Sequence, residues 1–560
     1  MTTLQIKSFR GLDRRASLEI ADPRALYIGD NVDITLGRSI KARGAVRKVA
    51  DVDPNSVGLY VAGGSLRCAI PGGQNFPSNV YGSVRIKYDH LGGAYVPFTT
   101  GTVTVTNGSP LVVLAAGAWP TDIEGTTLYL PGAGTSATVA ARLSNTDINL
   151  AENWTAPSQA GATFILRDRA SIYPLDTLKA VAAVEQFGFS REAGGYPYLT
   201  VERWLNPADH AEGSTYEHHW VTTELSDTGY PPATLVRLPF TPGPALAKLN
   251  GRLWAPDDTG SEIRFCSVQF GARDWTTPGD AGFISVLDHA MGDSSVNGLG
   301  VFNDNLAAIF SDSVQLWQTD EDPTKIAFVR ALGGPGTSAV DSVVNVRGDL
   351  FYFTRGGFRS LFTQTLTAQI DENDDIGASV YDLTENLDGL LARAVWSQRR
   401  GAYLCAFGEQ VFVYRLSPQA KVEAWSTWTL DDTPVEYLVE FDGKLYFRSA
   451  NAIYTIADEA DDSVAWTAQF HFAQGKGADS RRQWKFIEVI QQGACSVDFA
   501  TNPSLPETYF PANPLPIAGS TTGVNRIYVG ALCPMLSVRF SGQGSWQLDS
   551  FSLTYDQLSW

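Results

Sequence analysis

The apolar positions of this 560-residue chain fall in short runs, not in helical stripes. β-Branched and aromatic residues cluster briefly and are then broken by Gly, Asn, Asp or Pro. Half-buried strands joined by tight turns leave that mark on a sequence. The pattern predicts an all-β protein. The best helical candidate spans 379–392 (SVYDLTENLDGLLA), and Gly389 interrupts it.

A repeat occupies the middle of the chain. Each copy has a turn dipeptide, an apolar strand, a second turn and another strand. The turns are Asn250-Gly251, Asp304-Asn305, Gly348-Asp349, Arg400-Gly401 and Asp442-Gly443. They precede Arg252-Leu253-Trp254-Ala255, 306–310, Leu350-Phe351-Tyr352-Phe353, Ala402-Tyr403-Leu404-Cys405 and Lys444-Leu445-Tyr446-Phe447. Successive turns are 54, 44, 52 and 42 residues apart. A four-stranded propeller blade takes about 40–50 residues, so the repeat predicts a β-propeller. Residues 57–70 and 181–203 carry the same grammar, which starts the propeller near residue 50.

The repeat is interrupted over 102–167. Val103 and Val105 alternate with threonines, Asn107-Gly108 reads as a two-residue hairpin turn, and 111–114 returns. Further strands are expected at 126–130, 137–139, 147–150 and 164–166. Past about residue 465 the alternation lengthens, as in a β-sandwich. The expected organisation is a docking segment over 1–50, the start of the propeller over 51–95, and an inserted small β domain over 96–170. The remaining propeller then fills 171–464, and a C-terminal sandwich platform fills 465–560.

Charge changes this picture. Lys and Arg number 42 against 60 Asp and Glu, a net −18. Gripping DNA depends on neutralising its phosphates, so this balance argues against DNA binding through overall charge. Residues 1–50 are the exception, with ten cations and five acids. Arg10, Arg14, Arg15, Arg38, Lys41 and Arg43 are therefore candidate contacts to an acidic neighbour, a second copy of the chain included. Aromatic content of 11%, with 14 Trp, excludes a disordered chain. No apolar h-region follows the N-terminal cations, and the longest apolar stretch, near 111–119, is about half a membrane span. The five cysteines are scattered and form no CxxC pair, which predicts buried thiols formed in a reducing cytosol.

Chemistry is sparse. His218 and His219 are adjacent on a predicted strand, so they face opposite ways and ordinary packing is expected. Asp371, Glu372, Asp374 and Asp375 sit in a calcium-loop-like DENDD run. Ile376 stands where the loop needs Gly and Asp382 where it needs Glu, so a solvated acidic loop is expected. Asp-box turns, a nucleophile elbow, a Walker loop and HExxH are all absent from the sequence. No enzymatic activity and no cofactor are expected. Trp204, Trp275 and Trp317 could stack on sugars, but core roles are the simpler reading.

Two stretches resemble a known family. Ser8-Phe9-Arg10-Gly11-Leu12-Asp13, Ala21-Asp22-Pro23, Gly29-Asp30-Asn31-Val32-Asp33 and Arg38-Ser39-Ile40-Lys41-Ala42-Arg43-Gly44 look like the opening of the tail nozzle (tail tubular B-type) proteins of short-tailed bacteriophages. The last element reads K-x-R-G where that family typically has R-x-R-x-G. Arg264-Phe265-Cys266-Ser267, Arg273-Asp274-Trp275-Thr276, Gly298-Leu299, 303–317, Asp322-Pro323, 333–338 and Arg355-Gly356-Gly357-Phe358-Arg359-Ser360-Leu361 continue it.

The resemblance implies a structural virion protein, assembled in the host bacterial cytoplasm. It would form a homohexameric ring at the distal end of the tail. The ring would dock to an adaptor protein, carry tail fibres or tailspikes, meet the host outer surface, and enclose the channel through which genomic DNA leaves. Acidity would then serve passage, because a wall that repels phosphate lets DNA slide. Asp371, Glu372, Asp374 and Asp375 are the candidate acidic gate of that channel. The alternative is a phage-borne carbohydrate-binding or depolymerising propeller.

Overall fold

The computed structural model describes the chain except 16–21, 53–56, 63–64, 72–80, 87–99, 120–126, 131, 134, 168–171, 175–199, 204–217, 223–234, 238–239, 241–242, 244, 258, 270–273, 293–294, 335, 367–374, 431, 475–480, 520–523 and 559–560. The chain is all-β and is built on a β-propeller. Six small antiparallel sheets and one four-stranded arm of a larger sheet follow one another among the described residues, and we number them as blades 1 to 7.

Blade 1 runs Val57–Ala62, Ser65–Pro71, Tyr81–Ile86 and Ile172–Pro174. Blade 2 holds Thr200–Arg203, His218–Thr222 and Leu235–Arg237. Blade 3 holds Ala247–Leu249, Arg252–Pro256, Glu262–Phe265 and Gly282–Ser285. Blade 4 holds Gly298–Phe302, Asn305–Ile309, Ser313–Gln318 and Ala327–Gly333. Blade 5 has three strands, Val344–Val346, Asp349–Thr354 and Gly357–Ser360. Blade 6 holds Ala392–Ser397, Ala402–Phe407, Gln410–Ser417 and Val422–Thr429. Blade 7 holds Tyr437–Phe441, Lys444–Ser449 and Ala452–Ile456, and its fourth strand is Val46–Asp51.

The first strands of blades 3 to 7 touch in succession, and that of blade 7 touches the first strand of blade 1. Apolar layers fill the spaces between blades. Trp254 and Phe265 pack with Leu306 and Phe310 between blades 3 and 4. Leu404, Val413 and Trp428 pack with Leu445 and Phe447 between blades 6 and 7. Ala50, Leu59, Leu66 and Ile453 join blade 7 to blade 1. The strand Val46–Asp51 therefore belongs to the propeller, and the docking segment expected over 1–50 ends before it.

The repeat turns all occupy one place, the hairpin between the first and second strands of blades 3 to 7. Asn250-Gly251 and Asp442-Gly443 have positive φ at both residues, the two-residue turn whose twist suits a hairpin. The other two-residue turns fall one position upstream of the sequence reading. Asn303-Asp304 and Arg347-Gly348 adopt the left-handed conformation, because Phe302 pairs with Asn305 and Val346 with Asp349.

The insertion is a seven-stranded sheet between Val103 and Arg167 with its own core of Trp119, Trp154, Phe164, Leu128 and Ile148. It enters blade 1 between its third and fourth strands, which pair with each other. The expected two-residue turn at Asn107-Gly108 is instead part of a six-residue loop, since Val105 pairs with Val112. The amide of Asn107 is spent on the carbonyls of Thr155 and Ala156, and Gly108 N donates to Trp154 O at 2.8 Å.

The platform is a sandwich made from both ends of the sequence. One sheet contains Val32–Ile34, Ile40–Ala42, Gln547–Gln557, Arg482–Gln492 and Asn525–Cys533, with Thr2–Lys7 along Gln547–Gln557. The other contains Ala25–Asp30, Ala465–Phe470, Met535–Gln543, Cys495–Ala500 and Tyr509–Ile517. Between them Trp466 stacks on Trp546 at 3.9 Å, and Phe9, Phe470, Phe540 and Phe551 cluster. The expected helix over 379–392 breaks up. It gives a 3-10 turn at Ala378–Val380, one α-turn at Tyr381–Thr384 and a 3-10 turn at Gly389–Leu391. The Asp388 side chain takes the Leu390 N–H, and Leu390 and Leu391 are exposed, so no single apolar stripe forms.

Candidate functional site: the seam between platform and propeller

Blade 6 does not end at its fourth strand. Val422–Thr429 runs parallel beside Ala25–Asp30 at the bridge between Asp30 and Thr427, and Ala25–Asp30 continues into the second platform sheet. One eleven-stranded sheet thus spans a blade and the platform. The residues that turn out of this strand, Asn31 to Gly44, form the polar joint.

Arg43 is buried at the joint. Its Nε donates to Asn31 Oδ1 at 2.6 Å, and its terminal nitrogens donate to Gly44 O and Thr429 O, each at 2.8 Å. Asn31 Oδ1 also accepts from Thr429 N, and Asn31 Nδ2 reaches Ala465 O. Asp33, likewise buried, accepts from Trp428 Nε1 at 3.1 Å, and its Oδ2 lies 3.9 Å from Arg400. Burial holds the Arg415 pKa below its ordinary value, and the charge of Asp33 opposes that shift. The Nε of Arg415 has no hydrogen-bond partner among the described residues. Blade, N-terminal segment and platform are therefore locked by one network, with the Asp33 charge counterbalancing two guanidinium groups.

The six cations singled out in the sequence do not form one surface. Arg43 is a joint residue, and its expected role as a contact to a neighbour is corrected: burial and three own-chain acceptors leave no free face. Arg14 bonds Asp382 at 2.8 Å and lies 3.9 Å over the Tyr27 ring, fastening the N-terminal segment to the turn after blade 5. Arg38 donates to Lys421 O, and Lys41 reaches Asp458 O at 3.5 Å. Arg10 and Arg15 are exposed and paired with Asp22 and Asp13. Those two remain at the surface.

Asp371, Glu372 and Asp374 lie outside the described residues. Asp375 is not part of a solvated loop or channel wall. It is buried, accepts from Ser360 N at 3.0 Å and Ile376 N at 2.7 Å, and faces Arg359 at 3.5 Å. Burial raises its carboxyl above the usual range. It is the internal counter-ion of Arg359, so the gate reading is corrected at this residue.

His218 and His219 are neighbours on one antiparallel strand, and no group of His, Cys, Asp or Glu suited to a metal occurs among the described residues. Trp275 and Trp317 are buried, which removes them as sugar platforms; Trp204 lies outside the described residues. Cys266, Cys405, Cys495 and Cys533 are buried, and burial pushes the thiols of Cys266, Cys495 and Cys533 up to about 11.

Sequence reasoning missed Asn31, Asp33 and Arg400. Asn31 and Asp33 were legible only as part of a G-D-N-V-D run, whose two polar side chains needed a partner that lies some 400 residues on.

No family model matches the chain, and no curated protein matches it. Among solved structures it is similar to BamB from Moraxella catarrhalis, at 12% identity over 74% of this chain and 97% of that one, with a TM-score of 0.30. PorZ of Porphyromonas gingivalis gives 12% identity over 90% and 75%, with a TM-score of 0.31. Hsv2 of Kluyveromyces lactis gives 10% over 68% and 98%, with a TM-score of 0.28. The propeller assignment itself rests on the succession of sheets.

Proposed function

We propose that the chain is a non-enzymatic structural protein of a short-tailed phage virion. It would form the distal tail nozzle, a ring that docks to the tail adaptor, carries fibres or tailspikes, and conducts DNA during ejection. The observation that supports this reading is the seam. A propeller blade and a platform sandwich share one continuous sheet, stitched by Arg43, Asn31 and Asp33. Such a joint transmits force between two bodies without a flexible linker, as a conduit under ejection requires. Asn31, Asp33 and Arg43, which build it, lie in two of the N-terminal stretches that carry the family resemblance, 29–33 and 38–44.

In this reading Arg10 and Arg15 remain as cations for an acidic face of the adaptor or of an adjacent subunit. The acid excess of the whole chain keeps DNA from adhering to the channel. Mass photometry of the purified chain, with microscopy of phage particles, tests the proposal. The expected result is a ring at six times the 60.7 kDa chain mass, seen at the distal end of the tail. A chain that stays monomeric and is absent from tails overturns it.

A further inference from the structure

The outer strand of a blade leaves one row of backbone N–H and C=O groups unpaired, and proteins shorten, cover or charge such edges to prevent unwanted pairing. Most described blades do so. Blade 6 hands its outer strand to the platform. Blade 5 sets Leu361–Leu366 and Tyr381–Thr384 against Gly357–Ser360. Blade 7 ends on a strand exposing Arg47, Lys48 and Asp51. Blade 1 ends on three residues closing with Pro174, blade 2 on three and blade 3 on four.

Blade 4 differs. Its outer strand, Ala327–Gly333, has seven residues (AFVRALG), and Arg330 is its only charge. A bulge at Val329 bends it but leaves 330–333 in register with 313–316. Val329 is 48% exposed, and Met291 (57%), Leu287 (51%) and Phe283 (54%) are exposed on the blade 3 side. His289 stacks flat on Phe328 at 3.6 Å, and Met291 packs toward Gly333. An apolar shelf therefore runs along a backbone edge that no strand pairs among the described residues.

We propose that Ala327–Gly333 is a docking edge that accepts an extended strand of a different protein as a fifth strand of blade 4. Apolar side chains of that strand would lie on the shelf of Phe328 and Met291, and a carboxylate would sit opposite Arg330. Two features select this occupant. Backbone pairing with an edge requires an extended polypeptide. A second copy is disfavoured, because antiparallel pairing about a two-fold axis sets the central residue, Arg330, against itself, and like charges directly opposite destabilise a strand pair. The inference holds whether or not the chain forms a ring.

The test uses the full chain and two seven-residue peptides of alternating valine and threonine, one with glutamate and one with lysine at the centre. Hydrogen exchange reports where they bind, and fluorescence anisotropy reports how tightly. The expected result is slowed exchange confined to 327–333, with the glutamate peptide bound about three-fold more tightly, as one opposite-charge cross-strand pair allows. Arg330→Glu, an exposed substitution with an unchanged thermal midpoint, should reverse the order of the two peptides. No protection at 327–333, equal binding of both peptides to both proteins, or protection of 327–333 through dimerisation of the chain itself would overturn the proposal.

Discussion

The indole of Trp428 donates to Asp33 at 3.1 Å, and this bond ties the last strand of blade 6 to the N-terminal segment across 395 residues of chain. Asp33 also balances Arg400 at 3.9 Å and the half-buried Arg415. Removing the acid should therefore cost more than removing the indole N–H. Asp33→Ala removes the charged acceptor of the indole and the acid facing Arg415, while Arg400 keeps Asp458 at 3.5 Å, so the loss should be about 2–3 kcal/mol, as for a charged hydrogen bond. Trp428→Phe leaves one acceptor unsatisfied, at about 1–2 kcal/mol. Urea unfolding followed by circular dichroism should rank the two variants in that order.

Arg43 and Arg10 separate structure from assembly. Arg43→Ala deletes three hydrogen bonds in the seam and should lower stability by about 2–3 kcal/mol, since charged hydrogen bonds are each worth more than neutral ones. Arg10→Ala, at an exposed ion pair, should change stability by less than about 0.5 kcal/mol. Under the nozzle proposal the second variant should weaken ring or adaptor association while the monomer unfolds normally. Unfolding midpoints beside mass photometry distinguish the two effects.

Gly44 is required for space. A Cβ built there would stand 1.6 Å from the carbonyl oxygen of Ala457, where the chain leaves blade 7 for the platform. Backbone must move to admit it, unlike the end of a flexible side chain. Gly44→Ala should cost about 3 kcal/mol, the upper part of the usual overpacking range. Gly108→Ala, with open space around its Cβ, tests the contrast. Its φ of +79° should cost only about 1 kcal/mol. Thermal unfolding of the two variants checks the difference.

The propeller was legible because its signal is local. A two-residue hairpin needs residues that tolerate positive φ, so Asn250-Gly251 and Asp442-Gly443 announce it, and the blade spacing follows. The insertion was legible for the same reason, although its first loop was misread, because Asn107 is held by contacts from 155 and 156 that no local rule anticipates. The seam was not legible. Arg43 looked like surface charge, and only the approach of Thr429 and Asn31 makes it interior. Asp375 likewise sat in an acidic run, yet Arg359 and two backbone N–H groups draw it inside. In both cases a charged residue was sorted by its neighbours in sequence, while its burial was decided by partners from other strands.

His471 gives the fold a pH dependence with a defined sign. It is buried between the N-terminal segment and the platform. Nε2 contacts Asp13 O, the ring meets Tyr27 edge-on at 5.8 Å, and Nδ1 has no partner among the described residues. Burial lowers its pKa below the ordinary 6.5; the Asp13 carbonyl and the Asp13 and Asp22 charges oppose this, and Arg14 adds to it. Above pH 6.5 the ring is neutral in both folded and unfolded chains, and folding carries no proton penalty. As the pH falls below 6.5 the unfolded chain takes up the proton first. Stability then drops until the folded pKa is reached, by up to about 1.4 kcal/mol per pH unit. His471→Gln keeps a donor for Asp13 O and cannot titrate. Its unfolding free energy should fall less than that of the parent as the pH is lowered from 6.5 to 5.5. Equal losses in the two proteins would show that His471 takes up its proton as readily in the fold as outside it.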